Sequence, residues 1–308
     1  MNRVVPGSKP GRLAVVVAGI VFAISTLTAC GGGATPIGVS KPLTVVAAES
    51  FWGSIATQLL GSHGRVQSVV TDPNIDPHQY VGSTSDARAF ARADIVILNG
   101  AGYDDWGRRL LEANPSLTRK VLLVGGIAGA RSAANPYLWY NPELVGRIAD
   151  SLTQLYTVQD PADGNDFTSR RNALDQALQP YLAKVAEINH KYSGVPVGST
   201  DSVFVYMAQA LGLNLVSPPE LMQAIAQGAD PPTRAVAQFQ DQVAQKKIKM
   251  LVYNLQASSA MASNLKTLAT AQGIPLVGVT KAMPADSRSF QDWQLGQLQQ
   301  IETALAQP

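Results

Sequence analysis

Short, nearly uninterrupted apolar runs recur along this chain at residues 43–48, 66–70, 95–98 and 120–124, then again at 195–198, 250–253 and 275–279. Between them the apolar positions fall three and four apart. Ile55, Leu59 and Leu60 mark one helical face over 54–60, and the same spacing predicts helices over 85–92, 106–113, 143–156, 203–211, 233–245, 259–272 and 290–306. A strand that is apolar at every position has no face to give to water, so it must be covered on both sides, as in a parallel sheet layered with helices. The alternation therefore predicts an α/β fold: two βα lobes with mainly parallel sheets joined by one long linking helix. That helix is read over 165–191, where Leu174, Leu178, Leu182, Val185 and Ile188 recur at helical spacing and Pro180 predicts a kink. Residues 217–232 are polar and proline-rich, with room for a short helix.

The first thirty residues follow a different pattern. Arg3, Lys9 and Arg12 precede an uncharged stretch at 13–29, which ends at Cys30. A basic start, a short apolar segment and a small-residue exit describe a secretory signal. Leu27-Thr28-Ala29-Cys30 has the form of a lipobox, and Cys30, the only cysteine, is expected to carry the lipid. The expected divisions are a signal peptide at 1–29, a Gly-rich tether at 30–41, an N-terminal lobe at 42–160, the linking helix at 161–192 and a C-terminal lobe at 193–308. Removing Arg3, Lys9 and Arg12 from 24 Lys and Arg leaves 21 against 22 Asp and Glu. A near-neutral mature chain argues against nucleic acid as a partner. The expectation is a monomer on the extracytoplasmic face of a bacterial membrane, held there by its lipid.

The chemistry concentrates in two proline-bounded loops. Asp72-Pro73-Asn74-Ile75-Asp76-Pro77-His78-Gln79-Tyr80 follows the second apolar run, and proline fixes backbone shape on either side of one of only three histidines. Loops at the carboxyl ends of parallel strands are where ligands bind in α/β sheets. A second loop reads Asn135-Pro136-Tyr137-Leu138-Trp139-Tyr140-Asn141-Pro142. His63, in a Gly-Ser-His-Gly turn, is expected to face solvent, and His190 to sit at a helix end. No Gly-x-Ser-x-Gly or phosphate-loop pattern is present.

Three blocks give the chain a resemblance to the solute-binding lipoproteins of zinc- and manganese-importing ABC transporters, the helix-linked class. They are Asp76-Pro77-His78-Gln79-Tyr80 with Ser85-Asp86-Ala87-Arg88, then Asn99-Gly100-Ala101-Gly102-Tyr103-Asp104-Asp105-Trp106, then the 135–142 loop. The resemblance implies a four-ligand site between two lobes. It carries His78 over as first ligand, puts Tyr137 where the family has a second histidine, and puts Asp201 at the third position. At the fourth, where a carboxylate is expected, stand Thr280 and Lys281.

This set is oxygen-rich. Zinc favours nitrogen and sulfur, whereas manganese and iron accept more oxygen. A tyrosine ligates strongly only after losing a proton from a phenol whose ordinary pKa is about 10. The competing expectation for Tyr137 is aromatic packing beside Trp139. The first functional reading is a receptor that captures zinc or manganese, with iron as a further option, and passes it to an ABC permease. The second is a family member whose site has decayed into an Asp201–Lys281 ion pair and which acts as a surface or accessory protein. An enzyme using Asp201 and Lys281 as acid and base ranks below both, since no nucleophile accompanies them.

Overall fold

A computed structural model describes residues 41–130, 135–257 and 259–308. The signal segment, the tether up to residue 40 and Cys30 lie outside the described residues.

In the first half, β1 (Leu43–Glu49), α1 (Ser50–Leu60), β2 (Gly64–Val70), α2 (Thr84–Arg92), β3 (Ile95–Leu98), α3 (Asp105–Ala113) and β4 (Lys120–Leu123) alternate, followed by α4 (Val124–Ala128) and α5 (Pro142–Gln159). The helix α6 (Gly164–Tyr192) leads to β5 (Pro196–Ser199), α7 (Val205–Ala210), β6 (Asn214–Leu215), α8 (Pro219–Ala226) and α9 (Thr233–Ala244). Then come β7 (Leu251–Asn254), α10 (Ala260–Ala271), β8 (Leu276–Val279) and α11 (Phe290–Leu305). The strands form two four-stranded sheets of order β2-β1-β3-β4 and β6-β5-β7-β8, with every pairing parallel. The two lobes thus share one strand order. In each, chain direction across the sheet reverses beside the first strand, which opens a crevice at the carboxyl ends of β1 and β3 and of β5 and β7.

Strand burial follows the apolar runs. Val45, Val46, Ala47 and Ala48 of β1 and Ile95, Val96 and Ile97 of β3 are fully buried, because helices cover both faces of these central strands. The outermost strand β4 is mostly exposed, and Val124, expected as its last residue, instead begins the short helix α4. The short edge strand β6 has too few residues to show a period.

Helix α6 runs unbroken for 29 residues through Pro180. Pro180 is on the exposed side. The carbonyl of Gln176 that loses its amide partner therefore has water to bond instead, while Leu174, Leu178, Tyr181 and Ile188 hold the other face to the core. Helix α6 packs on α1, α5 and α11. The largest of three apolar clusters among the described residues runs from Leu43 in the first lobe through α6 to Leu305 in the second. The end of α11 nearest the first lobe is stitched to α1: Phe290 N donates to Ser54 Oγ at 3.0 Å, and the Gln58 and Gln291 amides bond each other.

Candidate metal centre

The His78 loop is built by its own side chains. Asp76 Oδ1 accepts from the His78 backbone N and faces His78 Nδ1, each at 3.0 Å. An Asx turn of this kind orients the ring as it closes. With Nδ1 donating to the carboxylate, the neutral imidazole carries its lone pair on Nε2. The ring also stands edge-on to Tyr103, with centroids 4.8 Å apart. The loop's far end is fixed by Asp86, whose Oδ2 accepts from Tyr80 OH at 2.7 Å and from Ser83 N at 2.7 Å, in a capping box that starts α2. The spacing from Tyr80 to Asp86 is therefore a structural device.

The second block is another. Gly100, Ala101 and Gly102 all have positive φ, at 72°, 53° and 81°. Asp104 closes this turn by accepting from Asn99 N at 2.6 Å and Gly100 N at 2.8 Å. Asn99, buried, accepts from Trp52 Nε1 and donates to Pro136 O, joining the second block to the third. In that third block Asn135 Oδ1 accepts from Tyr137 N, and Asn141 caps α5 ahead of Pro142.

Behind Tyr103 lies a buried acidic pair that sequence reasoning passed over. Glu49, at the carboxyl end of β1, is 2% exposed, and neither of its carboxylate oxygens has a hydrogen-bond partner among the described residues. Burial, reinforced by neighbouring Asp104, pushes the Glu49 carboxyl well above its usual range. Burial likewise raises Asp104 to about 6, against the pull of its backbone donors. The missed signal was the acidic residue closing an otherwise apolar strand.

Tyr137 is buried, with its ring 6.0 Å from Tyr103 and 5.5 Å from Trp139. Burial, then the charges of Asp201 and Asp76, raise its phenol far above the ordinary value, so it stands as a neutral phenol at neutral pH. Asp201 follows β5. Its Oδ1 accepts from Val203 N at 2.8 Å and its Oδ2 from Asn254 Nδ2 at 2.9 Å, and Asn254 ends β7. Burial raises its carboxyl despite these donors and nearby Lys281.

At the fourth position the structure separates the two alternatives. Thr280 turns toward α11: its hydroxyl accepts from Trp293 Nε1 at 2.9 Å, and its carbonyl accepts from Tyr140 OH at 2.7 Å. Lys281 reaches across the cleft, with its side chain 8% exposed, and pairs with Asp76 Oδ2 at 3.1 Å. The expected Asp201–Lys281 ion pair is thus corrected: the ammonium meets Asp76 of the other lobe, while both Asp201 oxygens bond Val203 and Asn254. The hydrogen bond from His78, with Lys281 adding to it, holds the Asp76 carboxyl far below the usual range. Sequence reading treated Asp76 as motif, and only the folded chain shows it serving the imidazole and the lysine together.

His63 also departs from expectation. Its Nδ1 lies 2.8 Å from Asp163 Oδ2 and its Nε2 2.6 Å from Asp166 Oδ2, so the turn after α1 is clamped to the start of α6. Buried Asp160 lies close to this group. His190 lies in the last turn of α6 as expected.

A cavity of about 530 Å³ opens between the lobes, with His78, Gly102, Asn135 and Tyr137 on one side and Met222 and Gln223 on the other. Asn135 Nδ2 donates to Ser202 O at 2.7 Å, and Tyr206 OH donates to Asn135 O at 3.0 Å, which ties the second loop to the other lobe. His78 and Tyr137 share this cavity. Asp76, Asp201 and Lys281 stand beside it and do not line it.

Paired parallel sheets of like order, a spanning helix and an imidazole set in the cleft define a two-lobed solute-binding protein of the helix-linked class. The family model described as zinc-uptake complex component A, periplasmic, matches residues 45–304, and the chain belongs to that family. It is 24% identical over 246 residues to the manganese-binding lipoprotein MntA of Bacillus subtilis, covering 76% of this chain and 78% of that one. It is 25% identical over 280 residues to the zinc-binding protein AdcA of Streptococcus pyogenes, about half of whose length (50%) it spans. Among solved structures, FpvC of Pseudomonas aeruginosa in complex with Mn2+ superposes with a TM-score of 0.72 at 17% identity, over 86% of this chain and 98% of that one. A Cd-bound periplasmic metal-binding protein of Candidatus Liberibacter asiaticus gives 0.71 at 16%, over 85% and 99%.

Proposed function

We propose that this chain is a lipid-anchored extracytoplasmic receptor of an ABC importer whose cargo is a divalent metal, zinc or manganese, taken up between the lobes at His78. One observation carries the reading: Asp76 turns the His78 ring and leaves Nε2 as its free nitrogen, in a cavity walled by both lobes. Binding by one lobe and closure by the other is how such a cleft captures a solute. Tyr137 and Asp201 border the same place, and the family membership and the metal-binding names of the relatives support it. The lipid anchor rests on Leu27-Thr28-Ala29-Cys30. No described helix is long and apolar enough to cross a membrane.

The Lys281–Asp76 contact favours a second reading, in which an ammonium takes the place of the cation and the protein has left transport. Titration of the chelator-treated protein with zinc and with manganese, followed by thermal melting, decides between them. Under the first reading melting rises with metal, because the folded state alone binds it, and His78→Ala removes the rise. A melting temperature indifferent to both metals counts against capture of the bare ions and favours the second.

A further inference from the structure

Resting on the metal-receptor reading, we infer that the cargo is a metal already held by a small organic chelator, and that the cavity beside His78 receives the chelator. The donor count points there first. Asp76 is shared between His78 and Lys281, and the two oxygens of Asp201 accept from Val203 N and Asn254 Nδ2. Thr280 bonds Trp293 and Tyr140. Of the residues at the four positions only His78 and Tyr137 line the cavity, and a phenol ligates strongly only after losing its proton, so Nε2 of His78 is the strong donor left open to it. Zinc takes about four ligands and manganese about six, so one imidazole holds a bare ion poorly against water.

The cavity points the same way. Six waters around an ion occupy on the order of 180 Å³, at about 30 Å³ each. The space of about 530 Å³ is some three times larger, within the range of roughly 300–1,000 Å³ that holds organic ligands. Its walls suit one. Pro136, Pro219, Met222 and Ala226 supply apolar contact, Gln223 and Gln227 supply amides, and no carboxylate lines it among the described residues. Such walls hold an uncharged chelator with an apolar skeleton, while the metal it carries completes its coordination on His78. Ala101, held at a φ of 53° where alanine is strained, forms part of the same wall.

The test uses calorimetry on the mature chain with three probes: zinc chloride, 1,10-phenanthroline, and their one-to-one complex. The complex is expected to bind at least ten-fold tighter than either component. Ala226→Trp, which fills the cavity, is expected to weaken the complex at least ten-fold more than it weakens zinc alone, with Gln223→Ala as a milder second variant. His78→Ala is expected to reduce the complex to the affinity of phenanthroline alone. Zinc binding as tightly as the complex overturns the inference and leaves the receptor reading standing. Phenanthroline binding as tightly as its complex, or a complex indifferent to both cavity variants, overturns it as well. Absence of binding by all three removes the inference and the receptor reading together.

Discussion

Lys281→Met is the sharpest perturbation the site offers. The ammonium stands 3.1 Å from Asp76 Oδ2 and also acts electrostatically on Asp201. At an effective dielectric of about 20, two unit charges at that separation attract by roughly 5 kcal/mol. The Asp76 side chain is 31% exposed, so solvent screens part of this, and a net coupling of about 1–3 kcal/mol is the realistic scale. Methionine keeps most of the lysine's length and removes its charge. Asp76 then retains its two bonds to His78 and gains water, so the fold should lose only about 1–2 kcal/mol. The cleft meanwhile loses a positive charge near the imidazole and leaves the charge of Asp76 uncompensated. Affinity for bare zinc or manganese should rise about 10- to 100-fold, since each 1.4 kcal/mol is a factor of ten. Isothermal titration of wild type and variant reads this directly, and Asp76→Asn in the Lys281→Met background should cancel the gain. An unchanged or lower affinity in Lys281→Met, with the protein folded, would refute the claim that Lys281 stands in for the cation.

Three further outcomes test the packing argument. Asp104 titrates near 6 in the fold and near 3.8 when unfolded, so the unfolded chain releases its proton first. The Asp104 contribution to stability should therefore fall by about 3 kcal/mol as pH rises from about 4 to 6, Glu49, raised in the same direction, should deepen the fall, and Glu49→Gln should raise stability at pH 7; urea melts across this range measure both. Tyr140→Phe should cost about 1–3 kcal/mol, because its hydroxyl bonds both Thr280 O and Gln297 Oε1, whereas Tyr181→Phe, whose buried hydroxyl has no partner among the described residues, should be neutral or stabilising in the same melts. Pro180→Ala should stabilise by roughly 1–3 kcal/mol by restoring an amide inside α6, and a loss of stability there would mean the ring packs usefully.

The chain by itself determined the elements and their arrangement. Uniformly apolar strands such as Ile95–Leu98 admit only a covered parallel sheet, and the spacing from Leu174 to Ile188 marks the spanning helix, because both signals are local periodicities that burial imposes. It also singled out His78 and Tyr137, which line one cavity, through loop blocks whose polar residues close turns and cap helices. Tertiary structure alone decided what those side chains bond. That Lys281 meets Asp76 and not Asp201, that Thr280 turns to Trp293, that His63 clamps Asp163 and Asp166, and that Glu49 is buried beside Asp104 all depend on residues from 13 to more than 200 positions apart. A charge pair carries no period along the chain, and its partner is chosen by distance and by which oxygens are already hydrogen-bonded, quantities that exist only once the lobes have packed.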